Sequence, residues 1–106
     1  MKNVDIVLSE YNKFMYGRFR SDGDKSAEAF REDVLKPAMV KNDMVTLDIS
    51  MKYGLARSAL EEIFGGLVRH SDFSAEEVLS RLNIISDCEF TKDSAVRFIK
   101  YAGKRK

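Results

Sequence analysis

The stretch "MVTLDISMKYGLARSALEEIFGGLVR" (Met44–Arg69) changes its hydrophobic period partway along, and that change decides the fold class. In its first part Val45, Leu47 and Ile49 alternate with Thr46, Asp48 and Ser50, the pattern of a half-buried strand. In its last part Leu60, Ile63, Phe64, Leu67 and Val68 recur at the i, i+3, i+4, i+7, i+8 spacing of a buried helical stripe. "MKYGLAR" between them reads as a loop, and Ser58 with Glu61 forms a capping-box pair at the expected helix start. Gly65 and Gly66 inside that helix each cost about 1 kcal/mol relative to Ala, so they predict close backbone packing or an early helix end.

The flanking sequence repeats this alternation of strand and helix. "VDIVL" (Val4 to Leu8) is short and β-branched, a first strand, and "KFMYGRF" is a second short extended piece with a bend at Gly17. Ser26 is placed as an N-cap, before a helix whose apolar face is Phe30, Val34 and Ala38 and which Pro37 should kink or loosen near Lys36. Ser74 and Glu77 make a second capping box, with Phe73 and Val78 as its hydrophobic staple, and open a short helix from about Ala75 to Leu82. "IIS" then gives another strand, and Thr91 caps a last helix whose apolar face is Ala95, Phe98, Ile99 and Ala102. Strands alternating with helices predict an α/β class, a small layer with parallel pairings and helices packed on the sheet.

With 106 residues, the chain is sized for one domain, residues 1–106. Its 18 basic and 17 acidic residues leave a net charge of +1, which supplies no broad field for nucleic acid or an anionic membrane. No apolar run is long enough to span a bilayer, and Asp5 interrupts the short apolar stretch near the start, unlike a signal peptide. The single cysteine, Cys88, excludes an internal disulfide and suits a reducing compartment, so a cytoplasmic protein is expected.

No catalytic set stands out. His70 is the only histidine available to activate Cys88, and they lie in different elements, so the expectation is a small buried Cys88 and a His70 at a helix C-terminus. These two side chains fall short of the four ligands of a structural zinc site, and no cofactor is expected. Adjacent Glu61 and Glu62 diverge by about 100° on a helix and do not converge on one atom; one should cap and the other face water. Asp48, at the end of its strand, either faces solvent or points into the crevice where ligands and partners bind.

"YGRFRSDGDKSAEAF" (Tyr16 to Phe30) lacks the spacing of a P-loop or a dinucleotide turn. Two readings stay open for it. Arg18 and Arg20 share one side if the stretch is extended, and with the N-terminus of the helix after Ser26 could hold a phosphate, a nucleotide or a partner's carboxylate. Alternatively the arginines pair with Asp22 and Asp24 around an ordered turn.

From Val4 to Phe98 the chain resembles the STAS-like domains of unknown function, small bacterial and phage proteins related in fold to anti-sigma-factor antagonists. Gly17, Arg18, Asp22, Gly23, Ser26, Phe30 and Arg31 carry the resemblance in "GRFRSDGDKSAEAFRE", and Asp48, Tyr53, Gly54, Ser58, Leu60, Glu61, Phe64, Gly65, Gly66 and Leu67 carry it in the strand, loop and helix that follow. Ala59 departs from the bulkier apolar residue that the family pattern has there, and "ARSAL" replaces the Asp-Ser-Ser-Gly signature. The resemblance implies a central mixed sheet with helices largely on one side. It also implies a non-enzymatic regulatory module of the partner-switching type, in which Ser58 is the nearest match to a serine phosphorylated by an ATP-binding, histidine-kinase-like partner protein. Arg18, Arg20, Asp22, Asp48, Tyr53, Ser58 and Glu62 are the partner-binding residues expected on this reading. A capping role for Ser58 is the alternative.

Overall fold

The computed structural model describes residues 2–15 and 17–106. Three strands, β1 (Asn3–Val7), β2 (Met44–Asp48) and β3 (Leu82–Ile85), form a sheet in the order β1-β2-β3. Both pairings are parallel, with Val4 opposite Val45, and Val45 opposite Leu82. The α/β class therefore holds, while the mixed sheet implied by the resemblance is, among the described residues, a parallel one. Helical segments carry each crossover: α1 (Leu8–Tyr11), α2 (Ala27–Phe30) and α3 (Lys36–Lys41) between β1 and β2, and α4 (Arg57–Arg69) and α5 (Ala75–Arg81) between β2 and β3. A last helix, α6 (Glu89–Arg105), packs along α4.

Alternation along the strands gives the sheet two different faces. Val45, Leu47, Leu82 and Ile84 are buried in the core with Phe64, Leu67 and Ile99 from the helices, whereas Asp5 and Asn83 flank half-buried Thr46 on the other face. Helices lie largely on one side, as expected. The "KFMYGRF" expectation falls partly on Tyr16, outside the described residues; among the others in it no strand forms.

Ser26 caps α2 by accepting a hydrogen bond from the Ala29 amide, and Ser74 caps α5 by accepting from Glu77. Between α2 and α3 the helix widens into a π-helical segment, Arg31–Leu35, in which the Lys36 amide reaches back to the Arg31 carbonyl. The loosening assigned to Pro37 thus lies in the turn before Lys36, next to the residue that has no amide proton to continue the helical ladder. One extra residue per turn also rotates the apolar face. The stripe expected at Phe30, Val34 and Ala38 is buried instead at Phe30, Leu35 and Met39, with Val34 and Ala38 at its margin.

Ser58 does not cap α4. That helix begins two residues earlier than such a cap requires, at Arg57, with Ala56 as an N-cap that makes no side-chain bond. Likewise α6 begins at Glu89 with Cys88 before it, so Thr91 is within the helix. Gly65 and Gly66 are both internal to α4, and each lies beneath a side chain: a Cβ on Gly66 would meet the Arg31 guanidinium, and one on Gly65 would meet Glu61 and Arg69. Close packing, not an early end, explains the pair. Arg31 is buried and hemmed in, whereas Glu61 and Arg69 are partly exposed and can swing aside. Gly66→Ala should therefore destabilise the fold by about 1–3 kcal/mol in urea denaturation, despite Ala's better helix propensity, through overpacking. Gly65→Ala should cost clearly less.

Candidate functional site

Arg18 leaves the turn after Gly17 and reaches α4, where its Nε donates to Glu62 at 2.8 Å and its Nη2 donates to Glu61 at 2.8 Å. From the other side Arg31 donates to the second oxygen of Glu62 and to the Glu62 carbonyl, the latter at 2.9 Å. Arg31 also holds Glu32, Glu32 holds Lys36, and Arg69 holds Glu61. Cations and carboxylates thus alternate from Arg69 to Lys36, tying the Arg18 turn and the α2–α3 helix to α4. The expectation that one of Glu61 and Glu62 caps and the other faces water is overturned. Glu62 has only 4% of its side chain exposed, and both carboxylates are taken by arginines.

Burial raises the Glu62 pKa, but the hydrogen bonds and charges of Arg18 and Arg31 outweigh it, and the carboxyl lies below its ordinary 4.5. Glu32 is lowered in the same way by Arg31 and Lys36 against its own burial.

The other expected residues scatter over two surfaces. Arg20 pairs with Asp33 through two bonds, at 2.8 and 3.1 Å, and Asp22 accepts from the Phe19 amide to close a 3-10 turn, Arg20–Asp22. Neither arginine pairs with Asp22 or Asp24. Nor is the following helix start open: the Ala27, Glu28, Ala29 and Phe30 amides donate to Gly17 O, Arg18 O, Ser26 Oγ and Ser26 O. An anion there would compete with two carboxylates for Arg18 and find the amides occupied, so the anion or nucleotide reading loses its geometry.

Asp48, Tyr53 and Ser58 lie on the path from the carboxyl end of β2 into α4. Asp48 accepts from the Ser50 amide at 2.9 Å, and Ser50 Oγ accepts from Asp87 at 2.9 Å, which links this loop to the one after β3. Buried Ile49 and Met51 anchor the loop, while Gly54, at φ +81°, makes the turn that leaves Tyr53 66% exposed. Tyr53 stacks on Phe14, ring centroids 5.1 Å apart, and Phe14 is itself 42% exposed. Beside this pair a groove of about 880 Å³ carries Lys13, Lys25, Lys52 and Glu10 on its walls. Sequence reasoning missed Phe14 and the lysines; an aromatic residue in a polar turn was their only local signal.

Ser58 is exposed in the first turn of α4, whose start Arg57 fastens to α6 by lying over the Phe98 ring. Cys88 is exposed, not buried, and Thr91 beside it holds its thiol below the usual value. His70 ends α4 beside Tyr101 and Arg105 in the last turns of α6, about 20–25 Å of helix from Cys88 at 1.5 Å per residue, so the two do not meet.

A parallel three-stranded α/β layer with helices on one face, and with a loop and exposed helix start at the carboxyl end of its central strand, defines the class of protein. Residues 26–88, more than half the chain, match the family described as STAS-like domain of unknown function (DUF4325), and the chain belongs to that family. No curated protein and no solved structure matches it. No helix among the described residues is long and apolar enough to cross a membrane.

Glu62→Ala takes from buried Arg31 one of its two carboxylates and leaves it only Glu32, while Arg18 keeps Glu61, so the variant should lose stability in urea denaturation by up to about 3 kcal/mol, the low end for breaking a buried pair. The pH dependence follows from the lowered carboxyls. Their contribution is complete above the ordinary value of 4.5 and is lost as pH falls through the lower folded value. The wild type should lose stability on acidification below that point, and Glu62→Gln should start less stable at neutral pH and show a shallower acid slope in thermal melts.

Proposed function

We propose that this chain is a cytoplasmic, non-enzymatic regulatory module that binds a protein partner, of the partner-switching type. Ser58 is the site at which an ATP-binding, histidine-kinase-like partner phosphorylates it. The observation that carries this reading is the position of Ser58: exposed, free of a capping role, and in the first turn of a 13-residue helix.

A phosphate there meets the positive end of the helix, next to Arg57, and adds about −1.5 to −2 charge to a surface without disturbing the core beneath it. Glu61 and Glu62, one turn further on, would repel it if they were free. Their charges are instead neutralised by Arg18, Arg31 and Arg69, which lowers that obstacle. Tyr53, exposed in the loop, and Asp48, at the strand end, precede the switch residue on the same β2–α4 connection and give the partner further contacts.

Intact-mass measurement after incubation with the cognate kinase and ATP should show the gain of one phosphate, absent in Ser58→Ala; no gain in the wild type removes the reading. Ser58→Asp should raise stability by about 0.3–1 kcal/mol at low salt, through the helix dipole, and should weaken partner binding.

A further inference from the structure

We propose that the groove at the carboxyl end of the sheet docks an acidic segment of the protein partner, one that presents an aromatic side chain to the Phe14–Tyr53 pair. This rests on the protein-binding reading above and names the chemistry of what is bound.

Charge is the first argument. Five arginines of this chain, Arg18, Arg20, Arg31, Arg69 and Arg81, hold carboxylates. The three lysines on the groove differ: among the described residues Lys13, Lys25 and Lys52 form no ion pair. Lys25 Nζ lies 5.4 Å from the centre of the Tyr11 ring, and Lys52 Nζ lies 5.4 Å from that of Tyr53. Three cations facing a single wall carboxylate, Glu10, complement an anionic chain.

Backbone conformation is the second argument. Lys25 is the one non-glycine residue with positive φ, +41°, among the described residues, and Asn12 Nδ2 holds it there by donating to its carbonyl at 3.0 Å. A lysine kept in a conformation that glycine adopts more readily is maintained by its surroundings, and here it sits on the groove wall.

The aromatic pair is the third. Phe14 and Tyr53 stack nearly parallel, at 19°, are both exposed overall and both line the groove, an aromatic surface for another ring beside flanking cations. Single-stranded nucleic acid offers charge and rings too, but a net charge of +1 supplies no field to gather it, and Glu10 opposes a continuous phosphate backbone.

The test is an NMR titration of the isotope-labelled chain with a synthetic peptide of Asp and Glu residues around one Phe. The same peptide with Asn and Gln, and an oligothymidylate, serve as comparisons. Saturable shifts at Phe14, Lys25 and Tyr53 are expected with the acidic peptide, weakening with salt and severalfold weaker in Lys25→Glu and Lys52→Glu. Lys92→Glu, on α6, should bind as wild type does. Lys25→Gly should bind more weakly while melting at a higher temperature, which separates lost charge from lost fold. Equal binding of the neutral peptide, binding of the oligothymidylate alone, or no saturable shift overturns the proposal. Shifts confined to the first turn of α4 also overturn it, yet leave the Ser58 reading intact, which the kinase experiment tests separately.

Discussion

The structure depends on how Glu62 is neutralised. A carboxylate on the inner side of α4 is costly unless it is paired and its oxygens are filled, and two arginines from different parts of the chain do both. Arg31 comes from the π-helical turn between α2 and α3, and Arg18 from the turn before α2. Because both must converge on one side chain, Glu62 sets where the first crossover lies against α4. Gly65 and Gly66 serve the same purpose: one turn on, they leave bare backbone over which the guanidiniums of Arg69 and Arg31 lie.

The network also decides which surfaces are left for function. Arg18 and Arg20, the most conspicuous cations in the sequence, are held within the chain by Glu61, Glu62 and Asp33. The helix start after Ser26 is closed by the carbonyls of Gly17 and Arg18, so the turn is a brace and not a ligand cradle. What stays open is the carboxyl end of the parallel sheet, where loops emerge from strands that are rigid and buried on one face. There the Ser50–Asp87 link and buried Met51 hold a loop that still projects Tyr53.

Legibility differed by element for physical reasons. The β2 strand and the α4 stripe were readable because burial on one face imposes a period, and Ser26 and Ser74 because a cap is a local bond. Ser58 carried the same capping-box signature and failed, since its would-be partner Glu61 bonds to Arg18 and Arg69 instead. A long-range ion pair outcompeted a local one. The face of the helix after Ser26 was misjudged by one residue because Pro37 enforces a π turn, and a 3.6 period cannot register that inserted residue. Cys88 was expected inside because small thiols usually are, but its place just before α6 leaves it in solvent.

By itself the sequence determined the alternation of strands and helices, two of the helix starts, and membership of a family, since each is written in periods, local bonds and residue order. Only the tertiary structure decided that Glu62 is buried, that Arg18 and Arg20 pair with carboxylates far along the chain, and that Phe14 and Tyr53 meet beside three lysines that form no ion pair among the described residues. Charge pairing and surface exposure depend on distances between residues far apart in the chain. Those distances are set when the helices close over the sheet.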